Sequence, residues 1–457
     1  MLTCFNTVSS SNSTPITVIQ LNDFDKWLAN QSIQIKQWLT TTQFCAKSGA
    51  FCLLPDPSGK LSLVICCIAD ADDLWGVGAL PFALPEGDYL LDIPEINYSR
   101  FAIAWGLGAY QFTLYKKPSR PPANLVLPAT CQLAEINNLV SSIYYVRDWI
   151  NTPTDNMGPS EFAAEAVKIG KEFGAKVKQI VGDDLLLQNY AAIHAVGRAS
   201  DDAPRLIDIR WGDKKHPKLT LVGKGVCFDT GGLDIKPSSY MALMKKDMGG
   251  AAHTLGLARM IMQAQLPIQL RVLMPVVENA IAGNAYRPGD VIRSRKGLTI
   301  EIGNTDAEGR VVLADALAEA VSDKPDLLID IATLTGAARV ALGTELPAMF
   351  ANNDDIANAA IHHAQRQQDP VWRLPLFSLY RDMLNSTIAD INNDSASSYG
   401  GAIAAALFLK EFVPDDIPWL HFDLMAWNLK ARPGRPQGGE AMGLRALFSY
   451  LKAWAIR

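Results

Sequence analysis

No apolar stretch in the 457 residues approaches the roughly 20 needed for a membrane-spanning helix. No basic segment followed by an apolar run stands at the N-terminus, so no secretory signal is expected. Charge of one sign is scarce too. With 42 basic and 47 acidic residues, a formal −5 gives no global attraction to nucleic acid or an anionic membrane. Lys116, Lys117 and Arg120 make one local basic trio, read as a solvated loop. Cysteine is limited to seven, an odd number in spacings that fit neither a disulfide scaffold nor a zinc knuckle. Cys66 and Cys67 fall inside the apolar run Leu63-Val64-Ile65-Cys66-Cys67-Ile68, where a thiol packs as a small hydrophobe. A reducing, cytoplasmic location is the expectation. The six histidines include no H-E-x-x-H pair, G-x-S-x-G is absent, and Lys224 lacks the spacing of a phosphate-binding loop. Zincin, serine-hydrolase and P-loop chemistry are thereby disfavoured.

What is present is an alternation of strand and helix. After a Pro-rich breaker at 118–128, apolar residues recur at helical spacing from Leu133 to Val146, predicting a long helix over 132–149. Beyond it, helices are expected at 161–173, 185–196, 251–263 and 311–321. Strands are expected at 177–181, 206–211, 219–223, 270–277, 298–302 and 327–331. This pattern predicts an α/β fold in two domains. The smaller N-terminal α/β domain covers 1–140; the C-terminal α/β catalytic domain covers 141–457, with a central mixed sheet flanked by helices. In open sheets of this kind, sites form beyond the carboxyl ends of strands.

Two segments crowd polar residues at such strand exits. One runs Gly223-Lys224-Gly-Val-Cys-Phe-Asp229-Thr-Gly-Gly…Lys236 and on through Met244-Lys-Lys-Asp247-Met-Gly-Gly-Ala-Ala. The other is Asn304-Thr-Asp306-Ala-Glu308-Gly-Arg310. Hard divalent cations want several oxygen ligands, and a pair of cations wants bridging carboxylates. Asp229, Asp247, Asp306 and Glu308 can supply them. Asp306 and Glu308 are expected to point the same way through the period of two of an extended stretch. Taken singly, each acid reads better as a helix cap or solvated loop charge, and Lys224, Lys236 and Arg310 as surface or salt-bridge residues. Only the set favours a metal site.

The heptad Asn304–Arg310 resembles the signature of the cytosolic leucyl aminopeptidase family, the M17 metallopeptidases. The segment 223–252 is similar to that family's other active-site stretch, and further likeness appears at 146–153, 331–337 and 401–409. The resemblance covers about 145–457. It implies a metal-dependent aminopeptidase with leucine-like preference and two divalent ions per subunit, Mn²⁺, Zn²⁺ or Mg²⁺. Asp229 and Glu308 would bridge the ions, Lys224 and Asp247 would hold the tighter one, and Asp306 the more exchangeable one. Lys236 would polarise the scissile carbonyl, and Arg310 would hold bicarbonate as general base. Main-chain groups of Thr333, Leu334 and Gly336 would bind the peptide, Met244 would line the first side-chain pocket, and Asn304 joins the substrate-binding set. The resemblance also implies a homohexamer. Departures are Val311 for a common Leu, Ala242-Leu243 for a common acidic pair, and Leu424-Met-Ala after Asp423, which bear on pocket shape. Two other classes compete. A two-metal phosphoesterase would use the same ligand types. A DNA-binding or scaffold role is disfavoured by the acidic balance.

Overall fold

The computed structural model describes residues 2–7, 13–395 and 397–456, the side chains of 95–97 excepted. The chain forms two compact units. The first comprises Met1–Tyr144 with Leu429–Gln437, the second Tyr145–Asn428 with Gly438–Arg457.

The first unit is built on a six-stranded sheet of β1 (Phe5–Asn6), β2 (Thr14–Gln20), β3 (Phe51–Pro55), β4 (Leu61–Ile68), β5 (Asp88–Asp92) and β6 (Asn124–Val126). Their order is β1-β6-β5-β2-β4-β3, parallel except where β3 meets β4. Val64 to Cys67 are fully buried, as the unbroken apolar run demands. From Phe24 onward the chain forms two helices, Phe24–Ala29 and Ile33–Thr41. Ser32 separates them by accepting a bond from the Ile35 N–H, an N-cap that the apolar spacing hides. The returning segment Leu429–Gln437 is fixed to this unit by Gly434, whose N–H donates to the Gly78 carbonyl at 3.0 Å. Arg435 stacks on the Trp75 ring at 4.5 Å.

In the second unit the strands are β7 (Lys176–Val181), β8 (Arg205–Trp211), β9 (Lys218–Gly223), β10 (Gly225–Asp229), β11 (Gln269–Asn279), β12 (Val291–Arg293), β13 (Thr299–Glu301), β14 (Leu327–Ala332), β15 (Ala348–Ala351), β16 (Trp372–Arg373), β17 (Ile391–Asn392) and β18 (Trp419–Asp423). The main sheet runs β16-β15-β18-β14-β9-β11-β8-β7, with β10 paired to β11. Its four central strands, β18-β14-β9-β11, are mutually parallel, and antiparallel β15 and β8 flank them. Strand β14 is buried at every residue, and its one polar member, Asp330, meets Trp419 Nε1 and His421 Nδ1 at 2.6 Å. Helices Gly249–Gln263 and Glu308–Ser322 pack on this sheet. The two-domain mixed α/β architecture expected from the alternation is the one observed.

One predicted helix is two. The stretch 185–196 breaks at Asn189, which takes a left-handed φ of 63° between Asp184–Leu187 and Ala191–Gly197. Asp315, on the helix Glu308–Ser322, then accepts the Ala192 and Ile193 N–H groups at 2.8 and 3.2 Å. A cap delivered from over a hundred residues away leaves no local trace.

Candidate metal centre

Parallel pairing brings the carboxyl ends of the central strands level. Gly223 at the end of β9 lies opposite Ile331, and Ala332 at the end of β14 lies opposite Asp423. The chain leaves β9 at Lys224, whose N–H donates to Ile331 O at 3.1 Å. It turns directly into β10, which ends on Asp229. Asp247 sits in a 3-10 turn, Met244–Met248, immediately before the helix Gly249–Gln263.

Asp306 and Glu308 arrive differently from the expectation. Strand β13 ends at Glu301, Asp306 lies in a turn, and Glu308 opens the helix Glu308–Ser322. A period of two therefore does not align them; the turn and the first helical residue do. Asn304 shapes that turn, its Oδ1 accepting the Asp306 N–H at 2.8 Å and its Nδ2 reaching Asp394 at 3.2 Å.

The charged residues converge. Asp229, Asp306 and Glu308 each present an oxygen within 4.8 Å of the other two. Lys224 Nζ lies 2.8 Å from Asp247 Oδ2 and 2.7 Å from Glu308 Oε1, and donates to Thr333 O at 3.2 Å. Lys236 Nζ lies 2.8 Å from Asp229 Oδ2 and pairs with Asp306 Oδ1. Lys224, Asp229, Asp247 and Glu308 are at most 3 % exposed.

The crowding shows in the proton affinities. Burial and the nearby Asp229 push the Glu308 carboxyl up to about 8 and that of Asp306 to about 6. Burial would raise Asp247 as well, but Lys224 and Lys246 outweigh it and bring Asp247 down to about 2. Burial opposes the Lys224 charge, yet Asp247, Glu308 and Asp229 prevail and hold it above the ordinary lysine range. Lys246 is lowered to about 8 by burial, and burial likewise lowers Arg310.

Metal fit can be judged from the oxygens. Asp247 Oδ2, Asp306 Oδ1 and Glu308 Oε1 are buried, and each is met by a lysine ammonium. Buried carboxylates crowded this closely repel one another beyond what two lysines offset, and divalent cations are the partners such an oxygen set suits. Arg310 gives Nη1 to Asn393 O at 2.8 Å, while its buried Nε has no partner, leaving a donor for an anion.

Glycine is required at two points. Gly231 holds a φ of +89°, and a Cβ there would stand 2.5 Å from Asp234 O and 3.1 Å from Asp306 Oδ1. At Gly309 a Cβ would stand 2.5 Å from Lys224 Cε, so only glycine lets the lysine pass the start of that helix.

Of the expected peptide-binding residues, Thr333 gives its hydroxyl to Asp247 Oδ1 at 2.7 Å. The Leu334 N–H is already donated to Asp423 at 2.9 Å, so a peptide contact there would fall to the carbonyl. Gly336 opens the helix Gly336–Leu342, and Met244 is 9 % exposed in the turn that carries Asp247. Sequence reasoning missed several supports. Asn279, the last residue of β11, donates to Asp229 Oδ1 at 2.9 Å. Asn393 accepts the Gly303 and Asn304 N–H groups and so holds the loop of the heptad. Asn279's place at a strand exit was the only available signal; Asn393 gave none. His253 is a satisfied core residue, its Nδ1 2.6 Å from Gly249 O and its Nε2 accepting the Met442 N–H.

With this geometry in place, comparison with known proteins is informative. Residues 144–448 match the catalytic domain of the cytosol aminopeptidase family, and residues 14–128 match the M17 aminopeptidase N-terminal domain. A probable cytosol aminopeptidase of Rhodopirellula baltica is 43 % identical over 317 residues, which cover 69 % of this chain and 62 % of that protein. The crystal structure of a cytosol aminopeptidase from Coxiella burnetii superposes with a TM-score of 0.95 at 52 % identity, covering 99 % of each chain. The bottromycin maturation enzyme BotP, in complex with Mn, gives a TM-score of 0.87 at 30 % identity, covering 98 % of this chain and all of that one. The chain thus belongs to the cytosol aminopeptidase (M17) family of metal-dependent peptide hydrolases.

Proposed function

We propose that this protein is a two-metal aminopeptidase that removes the N-terminal residue from peptides, with a leucine-like preference. The observation that carries the reading is the convergence of Asp229, Asp306 and Glu308 within 4.8 Å, joined to Asp247 through Lys224. Asp229 and Glu308 would be shared between two ions, Asp247 and Lys224 would hold the tighter one, and Asp306 the more exchangeable one; Lys224 can serve only as the neutral amine, a form that adjacent cations would favour. The Mn complex of BotP supports Mn²⁺ as an occupant, and oxygen ligands with one amine also suit Zn²⁺ or Mg²⁺. When bound, such a pair would acidify the attacking water and polarise the scissile carbonyl.

The chain's own groups do the rest. Lys236, which pairs with Asp229 and Asp306, would face the carbonyl and stabilise the developing oxyanion. Arg310 would hold bicarbonate through its unpartnered Nε, placing a base beside the attacking water. Asp247 would orient the free α-amine of the substrate, a group that no internal peptide bond offers. Met244 would wall the first side-chain pocket, while Asn304, Thr333, Leu334 and Gly336 would steady the peptide. A cytoplasmic homohexamer is part of the same reading. Among the described residues no helix is long and apolar enough to cross a membrane.

The test pairs elemental analysis of the purified protein with turnover of a leucyl anilide and of a nitrophenyl phosphate. Two metals per chain with anilide hydrolysis are expected. Phosphate-ester hydrolysis without anilide turnover would transfer the site to the phosphoesterase reading.

A further inference from the structure

The two acidic segments of this centre are distant in the chain, and one neutral side chain is bonded to both. Asn279 closes β11 and is fully buried. Strand β10 pairs in parallel with β11, and past an irregularity after Val226 the register sets Asp229 opposite Asn279. The Asn279 Nδ2 group donates to Asp229 Oδ1 at 2.9 Å and to Thr305 O at 3.1 Å. Its main-chain carbonyl accepts the Thr230 N–H at 3.1 Å and the Thr230 hydroxyl at 2.7 Å, so the residue after Asp229 is gripped as well.

Both neighbours of Nδ2 are acceptors, so the amide nitrogen and not its oxygen must face them. Asp229 Oδ1 also accepts the Gly231 N–H at 2.8 Å. Two donors therefore hold that oxygen, and the carboxylate cannot turn without giving one up. Its other oxygen, Oδ2, is left on the side of Lys236. At the far end of the amide, Thr305 immediately precedes Asp306. The Thr305 carbonyl also takes the Tyr286 hydroxyl at 2.6 Å, its hydroxyl donates to Gly231 O at 2.6 Å, and its N–H donates to Asp234 Oδ2 at 2.8 Å. The turn that carries Asp306 is thus latched to the turn that follows Asp229. Gly231 makes this link through its main chain; Asn279 makes it through a side chain, which substitution can remove.

A group that orients a metal ligand tunes the affinity of the site without touching the ion, and a neutral amide does so without competing for the cation's charge. Among the described residues, the side-chain bonds of Asn279 go to Asp229 and Thr305, and none goes to Lys224 or Asp247. Its influence therefore falls on the shared ligand and on the turn of Asp306. We propose that Asn279 is a positioning residue of the metal centre, setting Asp229 against the turn of Asp306 and so fixing the hold on the more exchangeable ion. The proposal rests on the two-metal reading and deepens it.

The experiment titrates Mn²⁺ into the metal-free protein by calorimetry and follows the same samples by electron paramagnetic resonance. Wild type should bind two ions with separable affinities and show a coupled pair at two equivalents. Asn279→Leu keeps the approximate size of the side chain and removes its donors. It should weaken the looser ion by about tenfold to a hundredfold and the tighter one by about threefold at most. At two equivalents its spectrum should be that of isolated ions. Asn279→Ala should act in the same direction, and it carries the test if the leucine variant does not fold. Tyr286→Phe removes the other side-chain donor to Thr305 O while leaving Asn279 in place, and should retain the coupled pair. Unchanged affinities in the Asn279 variants, or an equal loss at both ions, would overturn the proposal. So would a Tyr286→Phe loss as deep as theirs, which would assign the effect to packing around Thr305. Wild type that binds fewer than two Mn²⁺ would instead overturn the two-metal reading.

Discussion

Asp247 and Glu308 both contact Lys224, yet replacing either should have a different outcome from replacing Arg310. Asp247→Ala or Glu308→Ala removes an oxygen donor that nothing nearby replaces. Turnover of a leucyl anilide should fall by about a thousandfold or more, with the fold retained by circular dichroism. Arg310→Ala removes only the holder of an anion, and a loss of about a hundredfold is expected because water or another anion can stand in. Near-normal rates in Glu308→Ala would end the metal assignment, and an Arg310→Ala loss as deep as that of Glu308→Ala would end the anion-holding role. Gly309 offers a quieter test. A methyl there must displace Lys224, so Gly309→Ala should weaken metal binding by about tenfold to a hundredfold in calorimetry. Unchanged affinity would show that Lys224 does not ligate.

At the level of elements, the helix Ala191–Gly197 depends on a carboxylate it does not own. Burial pushes Asp315 up to about 7 from its ordinary 3.8. Because the folded value is the higher, the fold favours the protonated form. The stability this group lends is therefore complete below about 3.8 and is lost as pH rises through about 7. Thermal melts of wild type and Asp315→Asn across that window should show the wild-type advantage shrinking with rising pH and levelling above neutrality; an advantage growing with pH would contradict the assignment. The same region marks the border of what sequence could tell. Strands β9 and β14 were legible because burial on both faces demands mostly apolar residues, broken only by Thr220 and Asp330 inside them, and the two acidic segments were legible because glycines and charges crowd a strand exit. The break at Asn189 was not, since Asp315 reaches it across the fold. Nor was the approach of Asn279 and Asn393 to the centre, because an asparagine carries no periodic signal and its partner is set by tertiary contact. The expected alternation of Asp306 and Glu308 failed for a related reason: the extended stretch ends at Glu301, Asp306 falls in a turn, and the helix takes Glu308 first.

For the molecule as a whole, metal removal is the decisive perturbation. Chelation should abolish turnover, and restoring Mn²⁺ at about a hundred times its dissociation constant should add about 2.7 kcal/mol to unfolding stability. A melting temperature indifferent to Mn²⁺, Zn²⁺ and Mg²⁺ would contradict a metal site built from these buried, crowded carboxylates. Sedimentation should report a hexamer, and a stable monomer at working concentrations would remove the homohexamer from the reading.

The return of Leu429–Gln437 to the first unit constrains how the polypeptide can be made. A ribosome that has released residues 1–144 has not yet produced the piece that caps Gly78 and covers Trp75, and it must synthesise as far as residue 429 before that gap can close. The amino-terminal unit must therefore wait, incomplete, through most of translation. Limited proteolysis of stalled nascent chains should find it cleavable until the segment has emerged, and cutting the finished enzyme near residue 428 should loosen a region that the linear map places at the opposite end.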